Sequence, residues 1–240
     1  MENTFVKEFR IESSCCDSRG LLSIPRTFEI FMDLASQHAG MLKIGIDELT
    51  PKGMFWVVSK TRVRIRRLPK MGDHVQLTTW PQKPDRIRSF RNYRISDGDE
   101  ILVEGKSEWV VLHLESGKMV SPTEVFPEDL QLREDSVWTD NFSRMPLAFA
   151  EKPFAEYTVR STDIDVGGHM NNAAYVRMIN SLWSNGEWNA MDIREMEVFY
   201  RSQSYEGQKL LVRQHREEDG SLRLKLSLED ETAVLTAILR

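Results

Sequence analysis

The sequence predicts an α+β protein built from two copies of one unit, each a strand and a helix followed by a sheet. Apolar residues at three- and four-residue spacings predict a long amphipathic helix over 23–44. Four strand-like runs follow it, at 54–68, 74–80, 88–96 and 101–114, separated by turns rich in Gly, Pro and Asp. One helix followed by a run of antiparallel strands is typical of the α+β class.

The first helix has a recognisable start. Ser23 is a suitable N-cap because its hydroxyl can accept a backbone N–H from the first turn, and Pro25 has a backbone φ that fits that turn. The apolar stripe consists of Phe28, Phe31, Met32, Ala35, Ala39 and Leu42. We expect this stripe to pack against the strands that follow.

Residues 121–153 interrupt the pattern with prolines and acidic residues, and we interpret them as a crossover. The sequence therefore predicts an N-terminal unit over 1–120 and a C-terminal unit over 154–240. The second unit repeats the plan, with an opening strand at 155–160 and a helix whose apolar face carries Tyr175, Met178, Ile179, Leu182 and Trp183. Its later strands are predicted at 195–202, 208–214, 221–228 and 232–239.

A shift of 148 residues aligns the two helix starts. The aligned pairs are Asp17 with Asp165, Gly20 with Gly168, and Ser23 with Asn171. Further along, Gly72 falls opposite Gly207 at a shorter offset. Because His169 stands where the first copy has Leu21, only the second helix start carries a titratable base.

Composition excludes several classes of function. A net charge of −5 argues against a nucleic-acid binder, and no apolar run approaches the ~20 residues of a membrane span. Cys15 and Cys16 are adjacent and offer no disulfide framework, so we expect a cytoplasmic protein. The sequence has no metal-ligand spacing, P-loop, dinucleotide motif or serine-hydrolase elbow, and we expect no metal and no cofactor.

The second helix start holds an aspartate, two glycines, a histidine and two asparagines within 165–172. By pattern alone, an ordinary turn with a helix cap is an alternative to a functional site, since turns and caps use the same residue types.

The sequence resembles the acyl-ACP thioesterases over nearly its whole length. In the first half the resemblance rests on "GLLSIP", "FWVVSKTRVRIRRLPKMGD" and "TTWP", and in the second on "RSTDIDVGGHMNNAAYVRMI" and "EVFYRSQSYEGQKL". It implies a double hotdog fold, in which each half wraps a curved antiparallel sheet around its helix, and a thioester-hydrolysing site in the second half. Where the family signature has Asn, this chain has Gly167; where relatives carry Glu and often Cys, it has Gln203 and Ser204.

The resemblance implies roles for five residues. His169 acts as a base or as a donor near the carbonyl, Asp165 orients it or the water, and Asn171 caps the helix and positions these groups. Gly167 allows a close backbone approach, and the N–H groups at the helix N-terminus suit an oxyanion. Gln203 cannot be a base because an amide does not titrate, but it can hold water or substrate by hydrogen bonds. We expect weaker hydrolysis than in relatives that retain Asn and Glu.

A basic run at 60–70 holds six basic residues and no acidic one. Arg62, Arg64 and Arg66 alternate along one strand face and Arg67 follows, which predicts a cationic surface for the acidic surface of acyl carrier protein. A solvated sheet face with no partner is the alternative.

The predicted function is hydrolysis of fatty acyl-ACP to a free fatty acid and acyl carrier protein, by water attack. We expect no nucleic-acid or membrane partner, and either a monomer or a homodimer. Two alternatives stay open: an acyl-CoA thioesterase, and a non-catalytic acyl-ACP binding protein whose site has decayed.

Overall fold

The computed structural model describes residues 3–144, 149 and 152–240. By its internal contacts the chain divides into two compact units, Met1–Asp140 and Asn141–Arg240. The division falls inside the predicted crossover.

The first unit is an antiparallel sheet with one long helix, α1 (Ile24–Met41), and a short helix, α2 (Ile46–Leu49). Its strands are β1 (Phe5–Arg10), β2 (Met54–Ile65), β3 (His74–Pro81), β4 (Ser89–Asp97), β5 (Glu100–His113) and β6 (Met119–Val120). The strand order is β1-β3-β4-β5-β2, and β6 pairs with the end of β5. The sequence predicted α1, the four strands that follow it and, without bounds, a strand before it, which is β1. The short β6 and α2 were not predicted.

The predicted cap and buried face of α1 are both present. Ser23 accepts the backbone N–H of Arg26 at 3.3 Å. Phe31 is fully buried and its ring stacks on that of Tyr93 in β4, with the ring centroids 4.6 Å apart. A Cβ at Gly105 in β5 would lie 2.7 Å from Phe31 Cδ2, so glycine at this position is what lets the helix pack closely on the sheet.

The second unit repeats this topology. Its strands are β7 (Ala155–Thr158), β8 (Glu195–Tyr200), β9 (Lys209–Arg216), β10 (Leu222–Ser227) and β11 (Ala233–Leu239). Their order, β7-β9-β10-β11-β8, is the order of the first unit strand for strand. The predicted duplication is therefore confirmed at the level of the sheet.

The second helix is shorter than the first. The helix α3 covers Asn172–Asn180, and a separate helix, α4, covers Asn185–Ala190. Leu182 and Trp183, predicted on the helix face, lie between the two. The break is stabilised by Ser184, whose hydroxyl accepts the N–H of Glu187 at 3.3 Å while the Glu187 carboxylate accepts the N–H of Ser184 at 2.9 Å.

The two helix starts are built alike, as the offset of 148 residues predicts. One-turn 3-10 helices occupy Ser13–Cys15 and Ser161–Asp163. In each copy the glycine N–H donates to the aspartate carbonyl at 3.0 Å, and the glycines have φ values of 72° and 76°. Such left-handed backbone favours glycine, which explains why Gly20 and Gly168 are both retained.

Residues 133–140 belong to the first unit and pack across its sheet. The Trp80 indole N–H donates to the Asp135 carbonyl at 3.0 Å, and Asn92 accepts the N–H of Val137 at 3.1 Å. Trp138 is almost fully buried, with the Arg64 guanidinium 4.5 Å from the centroid of its ring. We call residues 133–140 the strap.

Candidate active site

Asp165 and His169 face each other across the tight turn before α3. The turn closes through two backbone hydrogen bonds, from Asp165 N–H to the His169 carbonyl and from Gly168 N–H to the Asp165 carbonyl, each 3.0 Å long. His169 Nδ1 lies 3.9 Å from Asp165 Oδ1, and about a quarter of each side chain is exposed. The pair is therefore both held in place and open to solvent.

The Asp165 carboxylate is oriented by two donors. Its Oδ1 accepts the N–H of Gly167 at 2.8 Å, and its Oδ2 accepts the Asn171 side-chain amide at 3.5 Å. Asn171 also caps α3, since its Oδ1 accepts the N–H of Ala173 at 2.8 Å. The cap predicted from the sequence thus has a second role, because the same side chain binds the carboxylate.

The surroundings of His169 select one tautomer. Its Nδ1 faces two acceptors, Asp165 Oδ1 and the Met170 carbonyl oxygen, the latter at 3.4 Å. Nδ1 therefore carries the proton in the neutral ring, and Nε2 presents a lone pair. An imidazole in this state can accept a proton from water.

Gly167 leaves room for the imidazole. A Cβ at this position would lie 2.9 Å from His169 Nε2 and 3.0 Å from Asp165 Oδ1, closer than side chains normally approach. In the first copy the equivalent residue is Arg19, whose guanidinium binds the Asp17 carboxylate at 2.7 Å. In the second copy the residue at this position is Gly167, which has no side chain to bind the aspartate. Asp165 faces His169 instead.

Residues 201–208 lie beside the turn. Met170 N–H donates to the Ser204 carbonyl at 2.8 Å, which brings together the residues that follow His169 and Gln203. Gln203 is exposed, and its Oε1 accepts the Tyr205 hydroxyl at 2.9 Å. Its amide N–H₂ group has no acceptor within the described part of the chain, so Gln203 offers a hydrogen-bond donor. Tyr205 was missed in the sequence analysis.

Ser204 is not placed to act as a nucleophile. Its side chain is fully buried, and its hydroxyl donates to Met170 Sδ at 3.6 Å. The Tyr175 hydroxyl lies 2.6 Å from Ser204 Oγ, and the two hydroxyls share a hydrogen bond. Burial, and to a smaller extent the negative charge of Asp165, raise the pKa of Tyr175, so its hydroxyl stays protonated.

A second tyrosine supports the turn from the other side. The Tyr157 hydroxyl donates to Asp163 at 2.7 Å, and the Asp163 carbonyl accepts the N–H of Asn171 at 2.8 Å. Burial together with the neighbouring carboxylate raises the pKa of Tyr157 to about 12. The neutral phenol is therefore part of the framework that holds Asn171.

The predicted carrier-binding arginines belong to the first unit, and the structure changes their interpretation. Arg62 is buried and contacts Asp140 of the strap at 2.5 Å; Arg64 shares that carboxylate at 2.7 Å. A surface role for Arg62 is therefore wrong, because its guanidinium binds the strap. Arg66 and Arg67 are more exposed, with side-chain exposures of 63% and 43%, and each pairs with a glutamate of the first unit.

The second-unit cluster provides a proton acceptor at Nε2, a fixed carboxylate and hydrogen-bond donors at a helix N-terminus. The N–H of Asn172, at the first position of α3, has no acceptor within the described residues. Among those residues, no three His, Cys, Asp or Glu side chains are grouped to hold a metal ion. Nor is any helix in the described ranges long and apolar enough to cross a bilayer.

Among known proteins, the chain is similar to plant acyl-acyl-carrier-protein hydrolases. A chloroplastic acyl-acyl-carrier-protein hydrolase, FATB2, of Cuphea viscosissima is 30% identical over 189 residues, which is 73% of this chain and 46% of that protein. A palmitoyl-acyl carrier protein thioesterase of Arabidopsis thaliana is 24% identical over 217 residues, 82% of this chain and 51% of that protein. The chain thus spans about half the length of the curated relatives it matches.

Solved structures share the fold. An acyl-ACP thioesterase from Bacteroides thetaiotaomicron superposes with a TM-score of 0.90 at 21% identity, covering 99% of this chain and 97% of that one. A 12:0-ACP thioesterase from Umbellularia californica gives a TM-score of 0.85 at 19% identity, covering 100% and 97%. The predicted α+β double hotdog is confirmed by these matches.

Two family profiles cover nearly all of the sequence. The acyl-ACP thioesterase N-terminal domain matches residues 2–128, and the acyl-ACP thioesterase C-terminal domain matches residues 148–238. Together with the duplicated topology and the cluster in the second unit, these matches show that the chain belongs to the acyl-ACP thioesterase family.

Proposed function

We propose that the protein hydrolyses fatty acyl-ACP thioesters through Asp165 and His169, without a cofactor. The observation that carries the proposal is the His169 ring, whose Nδ1 faces Asp165 while Nε2 presents its lone pair beside a residue without a side chain. The names of the relatives supply the substrate class, fatty acyl groups on acyl carrier protein.

In the proposed reaction His169 Nε2 accepts a proton from a water molecule as the water oxygen attacks the thioester carbonyl carbon. The carbonyl oxygen becomes an oxyanion in the tetrahedral intermediate. Its collapse breaks the carbon–sulfur bond, and the imidazolium returns the proton to the departing thiolate. The products are a free fatty acid and the carrier thiol, and Asp165 stabilises the transient imidazolium by its charge.

The oxyanion requires donors, and two are available. The N–H of Asn172 points from the N-terminus of α3, where the helix dipole also favours negative charge. The Gln203 amide is fixed by Tyr205 at its oxygen and offers its N–H₂ group. Gln203 thus serves as a donor to the substrate or as a holder of water, whereas a glutamate would serve as a base.

For the carrier-facing surface we retain Arg66 and Arg67, with Arg64 at its margin. Their partly exposed guanidinium groups can meet acidic side chains of a carrier, although each already shares a carboxylate. We also propose a reducing cytoplasmic location, supported by the free thiols of Cys15 and Cys16.

The test is steady-state release of free thiol by the purified chain from acyl-ACPs of several chain lengths and from the matching acyl-CoAs. We expect turnover that favours acyl-ACP and falls by at least about 100-fold in His169→Ala. The matched control is His74→Ala, at an exposed position of β3. Equal turnover of acyl-CoA would favour the acyl-CoA enzyme, and binding of acyl-ACP without turnover would favour the binding protein.

A further inference from the structure

Two buried hydroxyl groups lie directly behind the candidate site. Tyr175 is 3% exposed and Ser204 is 0% exposed, and their oxygens are 2.6 Å apart. From Ser204 the chain of hydrogen bonds continues to Met170, whose sulfur accepts the hydroxyl and whose N–H donates to the Ser204 carbonyl. We call Tyr175, Ser204 and Met170 the hydroxyl relay.

The relay joins the two segments that carry the proposed chemistry. Met170 immediately follows His169, and Ser204 immediately follows Gln203. At its two ends the 201–208 segment is held by two backbone hydrogen bonds, each 2.9 Å long. Arg201 N–H donates to the carbonyl of Val234 in β11, and Gly207 N–H donates to the carbonyl of Val159, which directly follows β7. Between these two bonds, Ser204 hydrogen-bonds to Met170, which follows the turn that carries His169, through both its carbonyl and its hydroxyl.

The first copy shows that the backbone does not need the relay. There Leu22 N–H donates to the Pro69 carbonyl at 2.8 Å. Leu22 and Pro69 are the equivalents of Met170 and Ser204, whose hydrogen bond has the same length. Gly72 N–H donates to the Ile11 carbonyl as Gly207 does to Val159, so the whole segment is equivalent.

The side chains at the matching positions of the first copy are different. Thr27 stands where Tyr175 does, and its hydroxyl donates to the Ser23 carbonyl within its own helix. Pro69, in place of Ser204, has no hydroxyl. The same backbone therefore forms with and without the relay, and the relay occurs in the copy that contains His169 and Gln203.

We propose that Tyr175 is a positioning residue, which acts through Ser204 to fix the Gln203 segment relative to the turn that carries His169. The proposal rests on the function proposed above and deepens it. Tyr175 touches neither water nor substrate in this role. Removing its hydroxyl takes one hydrogen bond from the buried Ser204 hydroxyl and frees the Gln203 segment to shift. Sub-ångström shifts of reacting groups lower the rate.

The experiment compares Tyr175→Phe, Ser204→Ala and the double variant with Tyr93→Phe. Tyr93 is a matched control because its hydroxyl also pairs with a buried serine, Ser107, at 2.8 Å, but in the first unit. For each variant kcat, KM and Tm are measured with the best acyl-ACP substrate, alongside the wild type and His169→Ala.

We expect Tyr175→Phe to lower kcat by about tenfold or more with KM changed less than about twofold. Ser204→Ala should do the same, and the double variant should lose no more than the larger single loss, because both changes break one relay. Tyr93→Phe should lower Tm by about as much as Tyr175→Phe does, but leave kcat within about twofold of the wild-type value.

Wild-type kcat in Tyr175→Phe, or additive losses in the double variant, would overturn the inference and leave the proposed function intact. A loss of kcat in Tyr93→Phe as large as that in Tyr175→Phe would also overturn it, since the effect would then be one of stability. No turnover by the wild type would overturn both the inference and the proposed function.

Discussion

Two neighbouring glycines in the candidate site should respond to alanine in opposite ways. At Gly167 the new Cβ would lie 2.9 Å from His169 Nε2, whereas ordinary contact begins at 3.4 Å, so the ring must retreat by about 0.5 Å. Since a 1 Å misplacement of a reacting group can cost roughly 100-fold, we expect kcat to fall about tenfold. Stability should be unchanged or slightly higher, because the atom that yields is on a partly exposed side chain and alanine restricts the unfolded chain.

At Gly168 the geometry predicts the reverse. Nothing lies within 4 Å of its added Cβ, but its φ of 76° is left-handed, where a Cβ costs about 1–2 kcal/mol. For a chain of this size we expect Tm to fall by about 2–8 °C. At a temperature where the variant is still folded, kcat should stay within about twofold of the wild-type value.

The assay is thermal unfolding of both variants together with kcat on acyl-ACP. The reasoning is refuted if Gly167→Ala keeps wild-type kcat, or if Gly168→Ala loses activity without losing stability. The first result would mean that the His169 ring is not where the Gly167 contact requires it to be, and the second that the left-handed backbone at Gly168 does not set the cost of a Cβ there.

Three further outcomes are expected. Gln203→Glu should raise kcat by about tenfold or more, because the Tyr205 hydroxyl would then orient a carboxylate that can take the proton of water. A profile of kcat against pH should show the gain disappearing below about pH 4 to 5. No gain at neutral pH would contradict the idea that the lack of a base at position 203 limits hydrolysis. Arg66→Glu should raise KM for acyl-ACP, more strongly at low salt, with little effect on acyl-CoA. The control is Arg10→Glu, since Arg10 is also more than half exposed and is paired with Glu12. Equal losses on both substrates would refute a carrier contact. The pKa of Tyr157 lies near 12 in the folded protein and near 10 in the unfolded chain. The Tyr157 hydroxyl therefore contributes its full stabilisation below pH 10 and loses it as the pH rises towards 12. Denaturant unfolding from pH 8 to 11 should show this decline in the wild type and a weaker one in Tyr157→Phe.

The local features of the site could be predicted from the sequence because they depend on neighbouring residues. A helix cap or a left-handed turn needs a particular residue type at a fixed position near the helix start. Ser23 and Asn171 supply the caps, and Gly168 supplies the left-handed turn. The same reasoning found the duplication, since the two helix starts use equivalent residues at a constant offset.

The contacts that were missed join residues far apart in the chain. The strand pattern predicted an exposed Arg62, but its partner Asp140 is 78 positions away, and no periodicity reports that distance. Tyr175 fits the apolar stripe of a helix, and only its pairing with Ser204, 29 positions later, shows that the hydroxyl matters. The shorter offset that pairs Gly72 with Gly207 also pairs Pro69 with Ser204. This pairing shows, from the sequence alone, that the second copy has a hydroxyl where the first has none.

The strap has a consequence for the order in which the protein is made. A nascent chain can complete the first unit's sheet once β5 and β6 have emerged from the ribosome, but Arg62 is then without the carboxylate that it contacts in the finished fold. Trp80 likewise lacks its acceptor until Asp135 has been synthesised. Folding of this unit therefore finishes some twenty residues after its last strand. A ribosome-bound chain whose β6 has cleared the exit tunnel while its strap has not should be more sensitive to protease than one whose strap has also cleared it.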